Sequence, residues 1–154
     1  MKTVKFCDYE WYVLEEQDDK ALLLAKDIIT KKAYHETYRN ITWENCTLRK
    51  WLNSDFYESL EKCHANILDT EIRQEGFLWC VTDKIFLLSI GEHGQYNIPL
   101  AEGWWWLRSP GRYSDFAAGV SVDGGIYFCG NNVGNASGGV RPAMWVDTLC
   151  LETV

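Results

Sequence analysis

From Leu107 to Ala143 the chain contains no lysine, glutamate, glutamine, methionine or tryptophan. The same five types fill 31 of the first 106 positions, and Met144, Trp145 and Glu152 bring three of them back at the end. Residues drawn from the composition of the first 106 positions would avoid all five over such a window with a probability of roughly a few in a million, or about a hundredfold more when the window is chosen after the fact. Codons ending in cytosine specify none of the five. A stretch restricted to the remaining types is what results when both adenines of repeated AAC (asparagine) codons are randomised. The competing explanation is a Gly/Asn-rich turn region that happens to lack long side chains.

Basic residues are in deficit. Lys and Arg number 15 against 22 Asp and Glu, leaving a net charge of −7, which argues against nucleic acid or an anionic membrane surface as partner, since either needs a basic face. The acid is spread along the chain, as on a soluble, self-repelling surface. No apolar run approaches the ~20 residues of a membrane span, so no membrane insertion is expected. Met1 to Phe6 lead straight into strand-like sequence without the apolar core of an export signal. Synthesis in the cytoplasm is expected, with a mature fragment, or display on a phage particle or cell surface, left open.

Metal and nucleophile chemistry are poorly provided for. Six cysteines (Cys7, Cys46, Cys63, Cys80, Cys129, Cys150) stand at long, irregular spacings with no CxxC or Cys/His finger pattern, so mostly buried free thiols are expected rather than a zinc site or a disulfide framework. His35, His64 and His93 are scattered in polar sequence and read as surface histidines. The Cys63–His64 adjacency counts for little, because nucleophile–base pairs form in space. No glycine-rich phosphate loop follows a strand and opens a helix. No catalytic residue, metal or cofactor is therefore expected.

What is present reads as one α+β domain over residues 1–154. Val4 to Phe6, Glu10 to Leu14 and Ala21 to Ala25 form a meander of short antiparallel strands, the second and third separated by Asp18-Asp19. Leu48, Trp51 and Leu52 share a helical face. Asn53 or Ser54 ends that helix and caps a second, Asp55 to Leu60. Phe77 to Val81 and Asp83 to Ser89 predict strands, and Gly91 to Pro99 a polar loop. Trp104 to Leu107 is an aromatic strand; Ala117 to Val122 and Gly125 to Cys129 flank Asp123-Gly124 as a hairpin. Asn131 to Gly139 reads as a loop, and residues 139–146 as a closing strand.

Three phrases frame the restricted window: Trp105-Trp106-Leu107-Arg108-Ser109-Pro110-Gly111, Asp123-Gly124, and Gly138-Gly139-Val140-Arg141-Pro142-Ala143. With Ala117-Ala118, Val120, Ile126 (where valine is usual), Gly130 and Val133, they resemble the variable proteins of diversity-generating retroelements, in the branch with a C-type-lectin-like fold related to formylglycine-generating enzymes. Tyr9 to Leu14, Thr42-Trp43-Glu44, Leu48 to Leu52 and Asp83 to Ser89 resemble the same group's scaffold.

The resemblance implies a C-type-lectin-like α+β fold with short antiparallel strands, two or so helices, a scaffold over 1–104 and a loop-rich variable region over about 105–143. It implies that a reverse transcriptase overwrites the window with adenine-directed errors, making a hypervariable ligand-binding protein rather than an enzyme. The ligand-binding variable positions would be Arg112, Tyr113, Ser114, Asp115, Phe116, Gly119, Ser121, Val122, Gly125, Tyr127, Phe128, Cys129, Asn131, Asn132, Gly134, Asn135, Ala136 and Ser137. The structural frame would be Trp105, Trp106, Arg108, Gly139, Arg141 and Pro142.

Arg, Tyr and Phe among the variable positions are hot-spot types, and Ser, Gly and Asn adapt by hydrogen bonding, which favours a macromolecular ligand, a protein or cell-surface molecule. Strand alternation predicts that one of Tyr127 and Phe128 points into the core. It also predicts that one of Trp104, Trp105 and Trp106 faces outward. Arg108 and Arg141 are expected to bind loop carbonyls rather than a ligand anion.

The Glu-Pro-Asn and Trp-Asn-Asp triplets of calcium-dependent sugar binding are missing, so no calcium site is expected. Cys129 and Cys150 do not reproduce the cysteine pair of formylglycine-generating enzymes. A non-diversified lectin-like module is the alternative, with a formylglycine-generating-type oxidoreductase a more distant one. The ligand's identity and the oligomeric state stay open.

Overall fold

The computed structural model describes residues 1–73 and 78–153. The chain opens with the predicted meander: β1 (Thr3–Phe6), β2 (Tyr9–Gln17) and β3 (Lys20–Ala25). Phe6 pairs with Tyr9 across a two-residue turn in which Cys7 and Asp8 have φ of 50° and 70°. Two left-handed residues in succession match the twist of the hairpin strands. Asp18, at φ 50°, takes the same part in the turn before Lys20. β11 (Ala143–Asp147) and β12 (Glu152–Thr153) complete this first sheet in the order β11-β3-β2-β1-β12.

The second sheet, ordered β4-β10-β7-β8-β9, consists of β4 (Thr30–Lys31), β7 (Trp105–Pro110), β8 (Phe116–Val120), β9 (Ile126–Asn132) and β10 (Gly139–Val140). A two-stranded ribbon pairs β5 (Thr70–Arg73) with β6 (Cys80–Asp83). The predicted strand of residues 77–81 begins only at Cys80; Phe77 lies outside the described residues. Sheets that are antiparallel but for the β7–β10 pair, with three short helices among the described residues, make the fold α+β.

The middle of the chain is helical, but not as two capped helices. α1 (Thr47–Trp51) runs through a π-helical turn, Leu52–Phe56, into α2 (Tyr57–Ser59). Asn53 and Ser54 do not end it. Asn53 Nδ2 donates to the Arg49 carbonyl at 3.0 Å, and Ser54 Oγ to that of Lys50 at 2.6 Å. Such back-bonding suits a locally widened helix.

Two further expectations are corrected. Of the expected strand Asp83 to Ser89 only Asp83 is in a ladder, at the end of β6; Lys84 to Ser89 has just a bridge from Phe86 to Ala143 and the Arg108 amide on the Leu88 carbonyl at 2.9 Å, although Ile85 to Leu88 are at most 2% exposed. Side chains take the ladder's place: Asn53 Oδ1 accepts from the amides of Lys84 and Ile85 at 2.9 and 3.0 Å, and Arg108 Nη1 donates to the Leu87 carbonyl at 2.8 Å. A buried run whose polar groups are met by side chains has the same sequence signature as a strand. Residues 91–99 open not as loop but as α3 (Ile90–Gln95), started by a capping box in which Ser89 Oγ accepts from the Glu92 amide and Glu92 from the Ser89 amide. The Ser89-x-x-Glu92 signal was present, and Gly91 and Gly94 masked it.

Cysteine usage differs from expectation as well. Cys7 and Cys63 form a disulfide, their Cα atoms 6.0 Å apart, because the β1–β2 turn packs against the 3₁₀ turn Glu61–Asn66. Cys46 is a buried free thiol, pushed up to about 12 by burial, while Cys80 and Cys129 are free and exposed.

The closing strand of residues 139–146 is divided between the two sheets. Gly139 pairs parallel with Trp105 in the second sheet, and Ala143 to Asp147 pair antiparallel with β3 in the first. Arg141 occupies the crossing and is 0% exposed. Its Nε donates to the Ala25 carbonyl at 2.8 Å, Nη2 to Lys26 at 3.0 Å and Nη1 to Pro99 at 3.1 Å. Its guanidinium lies 5.0 Å from the Trp105 ring. Burial pulls its pKa down to about 10, which leaves it a cation at neutral pH. Arg108 is likewise carbonyl-bound, and adds a two-pronged ion pair with Glu92 at 2.5 and 3.1 Å. Below the crossing, Asp83 (2% exposed) accepts from Trp43 Nε1 at 2.8 Å and Arg49 Nε at 2.7 Å, tying the helical segment to β6.

Arg141→Leu, which leaves one buried and two half-buried carbonyls without their donor, is expected to lower unfolding stability by about 3–5 kcal/mol in urea titration, with Arg141→Lys recovering only part. His93, 5.6 Å from the Trp105 ring, is held below the ordinary histidine range by burial and secondarily by Arg141. The fold thus favours the neutral ring, and that contribution is complete above about pH 6.5 and lost as pH falls through the lowered value. The thermal midpoint should fall on acidification below about pH 6.5, and the fall should be smaller in His93→Gln.

Candidate ligand-binding surface

The β8–β9 hairpin and its flanking loops carry the positions predicted to vary. Burial separates them from the frame residue by residue. Of the eighteen, only Gly119 is buried; the rest are exposed or half-buried. Ala117, Ala118, Val120, Gly130, Val133 and every residue of 138–143 are buried. The frame's departures are Pro110 and Asp123, exposed, and Gly111, Gly124 and Ile126, half-buried.

Gly119 offers no surface. A Cβ there would lie 2.9 Å from the Trp105 carbonyl and 3.4 Å from the Trp104 ring. The frame glycines are held by similar contacts. Gly130 has φ of 78°, and its Cβ would meet the Ala117 carbonyl at 2.2 Å; at Gly138 a Cβ would sit 2.1 Å from Trp106 Nε1. That indole donates to the Lys32 carbonyl at 2.8 Å.

The strand-alternation expectation for Tyr127 and Phe128 fails, since they are 49% and 62% exposed. β9 is the sheet edge, and its register with β8 shifts between Asn131 and Tyr127, so residues 128–130 bulge away from the ladder. The Arg112 amide, donating to the Cys129 carbonyl at 2.7 Å, fills the gap in pairing. A bulged edge strand has no face obliged to meet the core. Trp105 and Trp106 are both buried, on opposite faces of β7, and Trp104 is the half-buried member, 4.8 Å edge-on to Trp106.

The open positions fall into two groups at opposite ends of β8. At one end Arg112 to Phe116 meet the loop 131–137: the Val133 amide donates to the Asp115 carbonyl at 2.9 Å. Tyr113 and Phe116 pack edge to face at 5.4 Å, with the Arg112 guanidinium 5.5 Å from the Tyr113 ring. Asn135 Oδ1 accepts from Ser137 and steadies the loop. At the other end Ser121, Val122 and Gly125 form the hairpin turn. There Asp123 accepts from Ser121 Oγ at 2.6 Å and from the Gly125 amide at 3.0 Å, which holds its carboxyl below the usual range. Tyr127 opposite Gly119 lies between the groups.

Sequence reasoning missed a contribution from residues 35–42. The Ile41 amide donates to the Ser114 carbonyl at 3.2 Å and the His35 amide to that of Val133 at 3.0 Å, which brings this segment against the loops 112–116 and 131–137. Tyr38 is 58% exposed, lies against Gly134, and has its phenol pKa raised chiefly by the neighbouring Asp115 carboxylate. No spacing in the sequence marks Tyr38, because its place depends on long-range backbone bonds. His35, expected at the surface, is half-buried, and its Nδ1 accepts from the Thr47 amide at 3.1 Å.

Among the described residues no group of three or more His, Cys, Asp or Glu side chains converges as a metal site. Cys63 is in the disulfide, and His64 stacks on Tyr57 at 3.8 Å. No helix among the described residues is long and apolar enough to cross a membrane.

The molecule is thus an α+β domain whose second sheet presents a bulged edge strand and two loop clusters on a buried glycine- and arginine-tied frame. It belongs to the family described as Domain of unknown function (DUF6273), which matches over residues 18–103 and 95–148 and so spans both scaffold and surface. No curated protein and no solved structure matches it.

Alanine at Tyr113, Tyr127 or Phe128 is expected to change unfolding stability by no more than about 0.5 kcal/mol, as for surface substitutions elsewhere. Gly130→Ala should cost several times that, about 2 kcal/mol or more, through its left-handed φ and the clash with Ala117. Chemical denaturation of the four variants checks both.

Proposed function

We propose that this domain is a hypervariable ligand-binding protein of C-type-lectin-like fold, diversified by adenine-directed retroelement mutagenesis. Its C-terminal surface recognises a protein or other cell-surface macromolecule. The observation that carries this reading is the correspondence between the sequence window and the surface. The positions free to differ are open to solvent with the single exception of Gly119, while most frame residues between them are buried. Error-prone overwriting of a gene segment is tolerable only if the altered side chains carry no packing duty, because core substitutions cost kilocalories and surface ones little.

The surface chemistry supports recognition of a broad partner. Tyr113, Tyr127 and Phe128 supply rigid aromatic area and Arg112 a forked donor, while Ser, Gly and Asn fill the intervening positions. They lie along a sheet edge and two loop clusters, a spread suited to a macromolecule rather than a deep small-molecule pocket. Display on a phage particle or cell surface fits this role.

Sequencing the DNA around the gene tests the reading. A nearby repeat that matches the codons for residues 105–143, with mismatches only where the repeat has adenine, and a reverse transcriptase beside it, is the expected result. Ordinary mixed third bases and no repeat would leave a non-diversified binding module instead. With a ligand in hand, alanine at Tyr113, Phe116 or Tyr127 should weaken its Kd about thirtyfold or more.

A further inference from the structure

A second concavity adjoins the variable surface. A shallow cleft of about 500 Å³ opens between residues 35–45 and the 112–116 loop, lined by His35, Arg39, Asn40, Ile41, Thr42, Asn45 and Ser114. In a chain of net charge −7 this lining contains a guanidinium and no carboxylate. Among the described residues Arg39 is exposed and forms no ion pair. Of the neighbouring acids, Asp115 acts on the Tyr38 phenol and Glu36 on His35, and neither these nor Glu44 line the cleft.

Each of the other polar side chains can donate, and none is anionic. His35 Nδ1 is occupied as an acceptor by the Thr47 amide, so the neutral ring carries its proton on Nε2. Burial, and secondarily Arg39, keep that ring neutral by lowering its pKa. Asn40, Asn45, Thr42 and Ser114 add amide and hydroxyl donors. The walls are set in advance by the Ile41–Ser114, His35–Val133 and Asn45–Thr42 backbone bonds at 3.2, 3.0 and 3.2 Å.

We propose that this cleft is a carboxylate-binding site, which takes an acidic side chain of the protein recognised by the neighbouring surface. One fixed cation beside several neutral donors suits a planar monoanion, which the Arg39 fork meets in two-pronged fashion. A phosphate dianion would have a single countercharge in a strongly acidic protein. Every lining residue except Ser114 lies outside the restricted window, so the cleft is a constant subsite beside a changing one, with Ser114 as the point where variation tunes it. This assignment rests on the reading of the surface as a protein-binding one, but its test needs no macromolecular ligand.

The experiment titrates the ¹⁵N-labelled full chain with N-acetylglutamate α-amide, its neutral counterpart N-acetylglutamine α-amide, and inorganic phosphate, followed by amide NMR. The expected result is saturable shifts at His35, Arg39, Ile41 and Ser114 with the glutamate probe, little response to the glutamine probe, and weaker binding of phosphate. Arg39→Gln should weaken the glutamate probe about tenfold or more, and Lys5→Gln, an exposed cation on β1 that does not line the cleft, should leave it unchanged. Equal response to both amino-acid probes, absence of shifts at the cleft, tighter phosphate binding, or an unaffected Arg39→Gln would each overturn the assignment. Those failures leave the diversified-surface reading standing, and a gene without a template repeat leaves the cleft standing.

Discussion

The guanidinium of Arg141 is the constraint on which the architecture depends. It sits, fully buried, where the chain leaves the second sheet at Val140 and enters the first at Ala143. Its donors reach Ala25 and Lys26 at the end of β3 and Pro99 in the segment before β7. A buried cation without a carboxylate is costly unless every donor finds an oxygen. Here two chain segments supply three carbonyls to its donors, and Trp105 and Tyr12 supply ring faces. One side chain thereby fixes the angle at which the two sheets meet, and with it the position of the surface sheet.

From that anchor the division of labour in the second sheet follows. β7 is buried on both faces by Trp105 and Trp106, β8 is buried along Ala117 to Val120, and β9 at the edge is bulged and open. Exposure is concentrated on β9. The small residues of the frame are there because backbone and indole approach too closely for a Cβ, as at Gly130 and Gly138. The loops above this frame are tied down by main-chain bonds such as Val133 to Asp115 and Arg112 to Cys129, beside the side-chain bonds of Asp123 and Asn135.

Elements with a strong local signal were legible. The meander strands, the helical face of Leu48, Trp51 and Leu52, and the β8–β9 hairpin stand where periodicity and turn residues put them. So do the exposed positions of the restricted window. The failures share a physical cause. Asp83 to Ser89 is as apolar as a strand, but its partners are the side chains of Asn53 and Arg108, which no local pattern reveals. α3 was hidden by two glycines, which lower helix propensity without preventing a capped helix. Tyr127 and Phe128 alternate as in any strand, and only the bulge exempts both from the core.

The sequence by itself determined the turns and the short strands they join, because composition and turn chemistry are local properties written position by position. It also determined the α+β class, through periods of two and of three to four residues. Tertiary structure alone decided the Cys7–Cys63 bond, the split of residues 139–147 between two sheets and the approach of residues 35–42 to the loops 112–116 and 131–137. Each of these joins groups far apart in the chain, and such contacts depend on the summed geometry of every intervening turn rather than on any segment's own preference.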